Sequence, residues 1–498
     1  MLENLALGFD VALSIHNLTF AFLGALIGTA IGVLPGLGPT ATISLLLPLT
    51  FGVEPTTAII MLAGIYYGSQ YGGSTTAILL NLPGEISAVV TAIEGHKMAQ
   101  QGRAGAALAA AALGSFFAGS VATVVVAASG PLLTEVALSF GPADYFALML
   151  LGLIVACVLA QGSVLKAVCM VVLGVAFGLI GTDVQTGQQR FTFGVPELSD
   201  GINFVALAMG LFGVAEIMLN LEKPEIREGR IAKRGPLWLS REEWRYAIPA
   251  SVRGTVLGTA LGILPGGGAA LSSFGSYMLE RKITRRPERF GNGAIEGLAG
   301  PESANNAGAQ TAFIPLLTLG IPSNSVMALM VGALIIQGIQ PGPRMVEAQP
   351  ELFWGLIASM WIGNLMLLVI NLPMIGLWVQ LLKVPYKFLF PSILVFCCIG
   401  AYSINNNVFD VYTMMIFAGL GYMFSKLGLQ SAPLLLGFVL GPMMEEHLRR
   451  AMLLSRGDPT VFVERPISAT LLALALIALL AMTLPSLRRG KEQAMASG

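Results

Sequence analysis

Two stretches of this chain gather small hydroxyl and amide side chains in surroundings that are otherwise apolar. They are Tyr67-Gly68-Ser69-Gln70-Tyr71-Gly72-Gly73-Ser74-Thr75-Thr76 and Glu302-Ser303-Ala304-Asn305-Asn306-Ala307-Gly308-Ala309-Gln310-Thr311. Each stands immediately before an apolar run and reads as the start of a helix. A helix start offers unpaired N–H groups and the positive end of the dipole, which suits a carboxylate ligand. An ordinary N-cap needs one such residue, whereas each stretch supplies several. Gly73, Ser74, Thr75 and Thr76 in the first and Asn305, Asn306, Gln310 and Thr311 in the second are therefore expected to contact substrate, converging near the bilayer middle.

Each stretch ends in a break, Asn81-Leu82-Pro83-Gly84-Glu85 and Gly320-Ile321-Pro322-Ser323-Asn324-Ser325. Such breaks can present carbonyls and hydroxyls to a hard cation such as Na⁺. A loop at the membrane surface is the other reading, and for Pro83-Gly84-Glu85 both stand. Asn81, Glu85, Glu302, Ser323, Asn324 and Ser325 form the candidate set for a coupling ion. Glu85 and Glu302 stand out because an ionisable residue near membrane segments is a functional hypothesis by default. Each could carry a proton, pair with a cation, or sit in water at a loop.

The elements that position these residues occur twice. Gly24-Ala-Leu-Ile-Gly28-Thr-Ala-Ile-Gly32-Val-Leu-Pro35-Gly36-Leu-Gly38 recurs as Gly254-Thr-Val-Leu-Gly258-Thr-Ala-Leu-Gly262-Ile-Leu-Pro265-Gly266-Gly-Gly268, an offset of 230 from Pro35 to Pro265. Gly73 then matches Gly308 at an offset of 235, and Gly95 matches Gly342 at 247. Three matches in order with growing insertions mark a duplicated unit. Gly24, Gly28, Gly32 and Gly254, Gly258, Gly262 fall on one helix face and read as close packing through small residues, where Gly28→Ala should be mild. Leu-Pro-Gly-x-Gly differs, because Pro35 and Pro265 remove an amide while the glycines admit backbone shapes that other residues avoid. Freed backbone groups at membrane depth are tolerated only where they meet protein, water or ligand. Gly36, Gly38, Gly266 and Gly268 therefore join the substrate-binding set. Paired breaks at corresponding positions point to the central site of a secondary transporter.

Composition sets the class. Of 498 residues, 55% are apolar and 11% are charged, against about 25% charged in soluble domains. Apolar runs of about 20 residues each can cross a bilayer as helices. The expected fold is an all-α polytopic membrane protein of about 10–12 transmembrane helices, in two inverted repeats with broken or re-entrant helices. Its expected divisions are repeat one over 1–220, a charged cytoplasmic linker over 221–246, repeat two over 247–465, and a C-terminal helix and short tail over 466–498. Lys plus Arg equals Asp plus Glu at 28 each, which suggests no nucleic-acid partner.

Charge location tells more. Lys223, Arg227, Arg230, Lys233, Arg234, Arg241 and Arg245 crowd the linker, and Arg281, Lys282, Arg285, Arg286 and Arg289 the next loop. The positive-inside rule places both in the cytoplasm. The loop equivalent to the second, Leu49-Thr-Phe-Gly-Val-Glu54-Pro55, has no basic residue, which favours inverted over parallel repeats. The amino terminus carries acids and no Lys or Arg, unlike a cleavable signal peptide, so the first membrane helix is expected to be retained. Cys157, Cys169, Cys397 and Cys398 lack CxxC spacing and read as packing residues. No GxxxxGK[ST] loop is present for ATP hydrolysis. His16, His96 and His447 are scattered, no metal site is expected, and Met443-Met-Glu445-Glu446-His447 reads as a helix end with paired charges. Transport driven by an ion gradient is the economical reading.

Three motifs then resemble one family. The GT(A)xGxLPGxG duplication, the stretch from Tyr66 to Glu85 and the stretch from Pro301 to Ser325 are similar to the large membrane subunit of bacterial tripartite tricarboxylate transporters, from about residue 17 to the helix near 440. The resemblance implies uptake of citrate-like or other di- and tricarboxylates across the bacterial inner membrane, driven by Na⁺ or H⁺ and without a further cofactor. It also implies a periplasmic solute-binding protein and a small four-helix membrane subunit as partners. Two other readings are weighed against it. An intramembrane enzyme needs a nucleophile beside a base, and Ser74 and Ser303 have no His in their segments. A passive anion channel would show neither saturation nor ion dependence.

Overall fold

The structure is a computed structural model that describes residues 2–34, 37–83, 85–160, 163–183, 185–222, 235–264, 268–382 and 386–483. Among these residues the chain is all-α apart from one short antiparallel pairing of Gly181–Thr182 with Gln189–Arg190. Helices Ile15–Gly32, Ala104–Leu138, Pro142–Leu159, Phe204–Leu221, Pro350–Asn371 and Val408–Lys426 are long and apolar enough to cross a bilayer. Shorter apolar helices at Pro39–Thr50, Val164–Gly178, Ser325–Ile336, Phe390–Asn405 and Pro466–Leu480 accompany them. Leu132, Val172, Val256 and Ile416 point outward, where lipid tails solvate them as well as a core would. The chain is a multi-pass membrane protein.

The first half contains α1 (Leu2–Leu13), α2 (Ile15–Gly32), α3 (Pro39–Leu46) continued by the 3-10 turn Leu47–Thr50, α4 (Pro55–Leu80) and α5 (Ala88–Gln100). It continues through α6 (Ala104–Leu138), α7 (Pro142–Leu159) and α8 (Val164–Gly178). One crossing made of α9 (Phe204–Ala208), a wider π turn over Met209–Val214 and α10 (Ala215–Leu221) leads to the basic linker. The second half runs through α11 (Arg241–Gly262), α12 (Gly268–Ile283), α13 (Glu296–Thr311), α14 (Phe313–Leu319), α15 (Ser325–Ile336), α16 (Met345–Ala348) and α17 (Pro350–Asn371). It closes with α18 (Ile375–Leu381), α19 (Tyr386–Asn405), α20 (Val408–Lys426), α21 (Ser431–Leu454), α22 (Val461–Glu464) and α23 (Pro466–Thr483).

Pro35, Gly36, Gly84, Pro265, Gly266, Gly267, the linker residues Lys223, Arg227, Arg230, Lys233 and Arg234, and the tail from residue 484 lie outside the described residues. Ser240 Oγ accepts the Glu243 N–H at 3.3 Å, and Glu243 accepts the Ser240 N–H at 2.6 Å. This capping box starts α11, and Arg103 at the foot of α6 pairs with the same Glu243.

The glycines at every fourth position bring backbones together. A Cβ on Gly24, Gly28 or Gly32 would run into the main chain of Met61, Ile65 or Ser69 in α4, and one on Gly254, Gly258 or Gly262 into Gly300, Ala304 or Gly308 in α13. Small-residue packing is what the structure has. The expected mildness of Gly28→Ala does not survive it, because the added methyl would sit 2.7 Å from Ile65 Cα.

This packing also fixes the register of the duplication. Ile65 lies against Gly28 as Ala304 lies against Gly258, an offset of 239. The helix ends agree: α4 stops at left-handed Asn81 (φ 59°) and α14 at left-handed Gly320 (φ 72°), again 239 apart. Pairing Gly73 with Gly308 is therefore one helical turn out of step. Small residues recur every fourth position, so a slip of one turn preserves the sequence pattern. In the packed register Tyr66, Tyr67 and Tyr71 correspond to Asn305, Asn306 and Gln310.

Corresponding helices run antiparallel where the halves meet. Ser74 lies beside Glu302, whereas Tyr66 and Tyr67, earlier in α4, lie beside Phe313, later in the chain. Gly119 of α6 packs on Asn364 of α17, and Gly130 packs on Phe353. Contacts between the halves are reciprocal as well: α6 touches α11 and α13, α17 touches α2 and α4, α5 touches α12, and α15 touches α3.

Candidate substrate and ion sites

The polar stretches are not helix starts. Ser74, Thr75 and Thr76 occupy the last turns of the continuous α4, and Asn305, Asn306, Gln310 and Thr311 lie within and at the end of α13. Their chemistry explains the continuity. Ser74, Thr75 and Thr76 donate to the carbonyls of Gln70, Tyr71 and Gly72 one turn earlier, at 3.1, 3.1 and 3.2 Å, so the hydroxyls are satisfied inside a helix that need not end. Thr76 also donates to the Val33 carbonyl at 2.7 Å, satisfying backbone freed where α2 breaks. Thr311 donates to Ala307 at 3.0 Å and packs on Gly262. Thr76 thus serves the break after α2, while Thr311 packs against the last residue of α11.

The helix starts that do face a space are those after the breaks. A cavity of about 520 Å³ is lined by Gly38, Pro39, Thr40 and Ala41 opening α3, by Glu85, Ile86 and Ser87 leading into α5, by Gly268, Ala269 and Ala270 opening α12, and by Asn324, Ser325 and Val326 opening α15. This is a small-ligand volume. Two half-helices from each copy aim their N-termini at it. No Lys or Arg is among the described lining residues, whereas Glu85 and Glu216 are, so positive charge offered to a ligand there would come from backbone N–H groups and helix dipoles. Asn324 caps α15 by accepting the Met327 N–H at 2.9 Å, and the Thr40 and Ser325 hydroxyls meet at 3.1 Å across the two copies. Glu85 Oε1 and Ser87 Oγ are buried without a hydrogen-bond partner among the described residues. The remaining wall includes Leu159 of α7, Leu219 of α10, Ser425 of α20 and Pro433 of α21.

A second centre lies nearby on α13. Glu302, 1% exposed, accepts from Ser74 Oγ at 2.9 and 3.0 Å, from Thr91 Oγ1, and from Ser115 Oγ at 3.5 Å. Asn306 Nδ2 donates to Ser115 Oγ at 2.7 Å and to the Glu302 carbonyl at 3.2 Å. No Lys or Arg pairs with Glu302 among the described residues. The result is a buried carboxylate ringed by hydroxyls from α4, α5 and α6, fit to hold a proton or a small hard cation among oxygens. Ser74, Thr75, Tyr71, Ser115 and Glu302 border a void of about 20 Å³ there.

The predicted residues thus divide between two places. Gly38, Gly268, Glu85, Asn324 and Ser325 line the large cavity; Ser74, Thr75 and Glu302 border the small void. Gly36 and Gly266 lie outside the described residues. Ser323 is buried and donates to Ala312 O at 3.5 Å, while Asn81 is an exposed helix cap that lines neither space. Gly73, Asn305, Asn306 and Gln310 are buried between the helices, and both polar atoms of the Asn305 side chain lack a partner among the described residues. Tyr66, Thr40, Ser87, Thr91 and Ser115 were missed. Ser115 sits in a run of alanines and glycines, where one serine carries no sequence signal.

Broken helices opening on one cavity, within a predominantly α-helical chain of apolar crossings, are the frame of a multi-pass membrane protein. The chain belongs to the tripartite tricarboxylate transporter TctA family, whose sequence profile matches residues 18–436. It is 59% identical over 493 residues, covering 99% of this chain and 98% of the relative, to an uncharacterized 52.8 kDa protein in the TAR-I ttuC' 3' region of Agrobacterium vitis. It is 61% identical over 236 residues, 47% of this chain and 98% of the relative, to an uncharacterized protein in the TAR-II ttuC' 3' region of the same organism. No solved structure matches the chain.

Proposed function

We propose that this chain is the translocating large subunit of a tripartite transporter that takes up di- or tricarboxylates across the bacterial inner membrane. A periplasmic solute-binding protein delivers the substrate, a small four-helix subunit completes the membrane part, and a Na⁺ or H⁺ gradient drives the cycle. The observation that carries this reading is the convergence of four half-helix N-termini, two from each copy, on one cavity without basic side chains. Carboxylates there are balanced by backbone dipoles. Glu85 faces the same space and would repel an anion unless a cation enters with it. That supplies a physical reason for cation-coupled entry, with Glu302 and its hydroxyls as the second cation or proton centre.

The two copies, 1–220 and 247–465 around the linker at 221–246, are inverted in this proposal. Antiparallel packing of corresponding helices supports it. So do the loops: the end of α5 bonds the α12–α13 loop through Gln101 and Asn292, close to the linker pair Arg103–Glu243. Thr50 and Gln337, at the far ends of α3 and α15, bond each other at 2.8 Å. With basic loops inside, α5 and α12 run inward from the cavity and α3 and α15 run outward. In this orientation the cavity's other walls come from the inner ends of α7, α10, α20 and α21, which supports an inward-facing state.

The test is uptake of labelled dicarboxylate and tricarboxylate into proteoliposomes holding both membrane subunits, with the binding protein outside and an imposed Na⁺ or H⁺ gradient. Saturable, gradient-dependent uptake is expected. Flux that neither saturates nor responds to the cation gradient would establish a channel instead.

A further inference from the structure

The outer face of the α11–α12 hairpin carries a groove of about 520 Å³, separate from the central cavity and lined by Leu257, Gly275, Met278, Leu279, Arg281 and Lys282. Its floor is apolar and its rim is cationic. Gly275 keeps it open: a Cβ there would lie 3.4 Å from Leu261 and 3.5 Å from Leu257 side chains, and anything longer would fill the space. Met278 is 61% exposed. Arg281 and Lys282 are exposed in the last turn of α12, and neither makes an ion pair among the described residues. The neighbouring acid is already committed, since Glu280 holds Arg253 at 2.6 and 2.8 Å. An apolar slot ending in two cations without ion-pair partners among the described residues matches an acyl chain joined to an anionic headgroup.

We propose that this groove is a binding site for an anionic phospholipid, with an acyl chain along Leu257, Gly275, Met278 and Leu279 and the phosphate held by Arg281 and Lys282. By the positive-inside argument the lipid belongs to the inner leaflet. The site has a route to function, because α12 begins at the central cavity with Gly268, Ala269 and Ala270 and ends at this groove. A lipid seated at its C-terminal end restrains the half-helix that carries part of the substrate site.

The experiment is native mass spectrometry of the full chain in detergent, titrated with phosphatidylglycerol or with phosphatidylcholine of the same acyl chains. Two cations near the surface predict a preference of about 30-fold for phosphatidylglycerol. Arg281→Gln with Lys282→Gln should erase the preference. Gly275→Leu should abolish binding of that lipid with both charges intact, and Arg281→Lys should retain it. Circular dichroism of each variant confirms the fold, and the readout does not depend on transport. Equal binding of the two lipids, or normal binding to both Gly275→Leu and the double variant, would overturn the site. So would displacement of bound lipid by millimolar glycerol phosphate, which would indicate a simple anion site, or loss of lipid selectivity once the small membrane subunit is bound, which would make the groove a subunit interface.

Discussion

At the residue scale, two buried carboxylates do different work. Among the described residues Glu302 is held by hydroxyls alone, so a charge there calls for a proton or a cation to balance it. Glu302→Gln keeps the shape and removes that requirement; reconstituted uptake should lose its response to the cation gradient, whereas substrate binding by calorimetry should change by less than about threefold. Ser74→Ala removes one oxygen and should raise the apparent cation Km by about 5- to 100-fold. An unchanged cation dependence in both variants would show that coupling lies elsewhere. Glu94 is structural. It is fully buried and accepts the Gly291, Gly293 and Ala294 N–H groups at 2.5, 2.8 and 2.8 Å and the Tyr277 hydroxyl at 2.9 Å. Gly291 and Gly293 have φ of 81° and 90°, which lets successive N–H groups converge on one anion. Glu94→Gln turns an NH₂ group toward those donors and should destabilise the protein by about 1–3 kcal/mol, measured as a lower melting temperature in detergent.

At the element scale, the glycine faces and the half-helices carry separable functions. Gly28→Ala drives a methyl into Ile65 of α4 and should sharply lower the yield of folded protein, while Gly73→Ala, with nothing within 4 Å of its Cβ, should leave folding intact. Size-exclusion profiles of the two variants distinguish them, and equal behaviour would mean that the α2–α4 contact is loose. The proposed inverted arrangement makes a second prediction. Thr50 is only 3% exposed, so the useful probes are its neighbour Phe51, 47% exposed, and Ile283, 50% exposed. Cysteine at Phe51 should react with an impermeant maleimide from outside the cell and cysteine at Ile283 only after permeabilisation. Reaction of both from one side would require parallel repeats.

At the scale of the whole molecule, the two copies are held together near the cavity and braced at their ends. One brace ties the loop after α8 to α21. Asp183 accepts from the Gln185 N–H at 3.1 Å, the Thr186 hydroxyl at 2.9 Å and Arg449 at 2.8 Å, and Arg449 and Arg190 also reach Glu445. Those hydrogen bonds, the Gln185 N–H foremost, lower the Asp183 carboxyl from 3.8 to about 2. A depressed carboxylate contributes stability that is complete above its ordinary value and is lost as pH falls through the folded one. Hydrogen exchange of the Gln185–Arg190 segment should therefore stay constant from neutral pH down to about 4 and accelerate between about 4 and 2, after correction for intrinsic rates. Asp183→Asn should show fast exchange throughout that range.

The sequence by itself determined the membrane class, the duplication, the paired breaks and the family, because these rest on composition and on spacing along the chain. Apolar runs must be helical in lipid whatever their neighbours, and Pro35 and Pro265, each followed by glycine, withhold an amide that a continuous helix would use. It also marked Glu85, Glu302, Asn324 and Ser325 as residues to watch. What it could not determine was which polar residues share a space. Ser74, Thr75 and Thr76 have the composition of a helix start, yet their hydroxyls bond carbonyls one turn earlier and the helix continues. The register of the second repeat element was one turn out because glycine recurs every fourth residue in both copies, and only the backbone contacts of Gly28 on Ile65 and Gly258 on Ala304 select between the alternatives. Thr91, Ser115 and Ser74 come from three helices and reach Glu302 only because small residues let those helices approach closely. That convergence, like the meeting of four half-helix starts around one cavity, is a property of packing between distant segments, which tertiary structure alone decides.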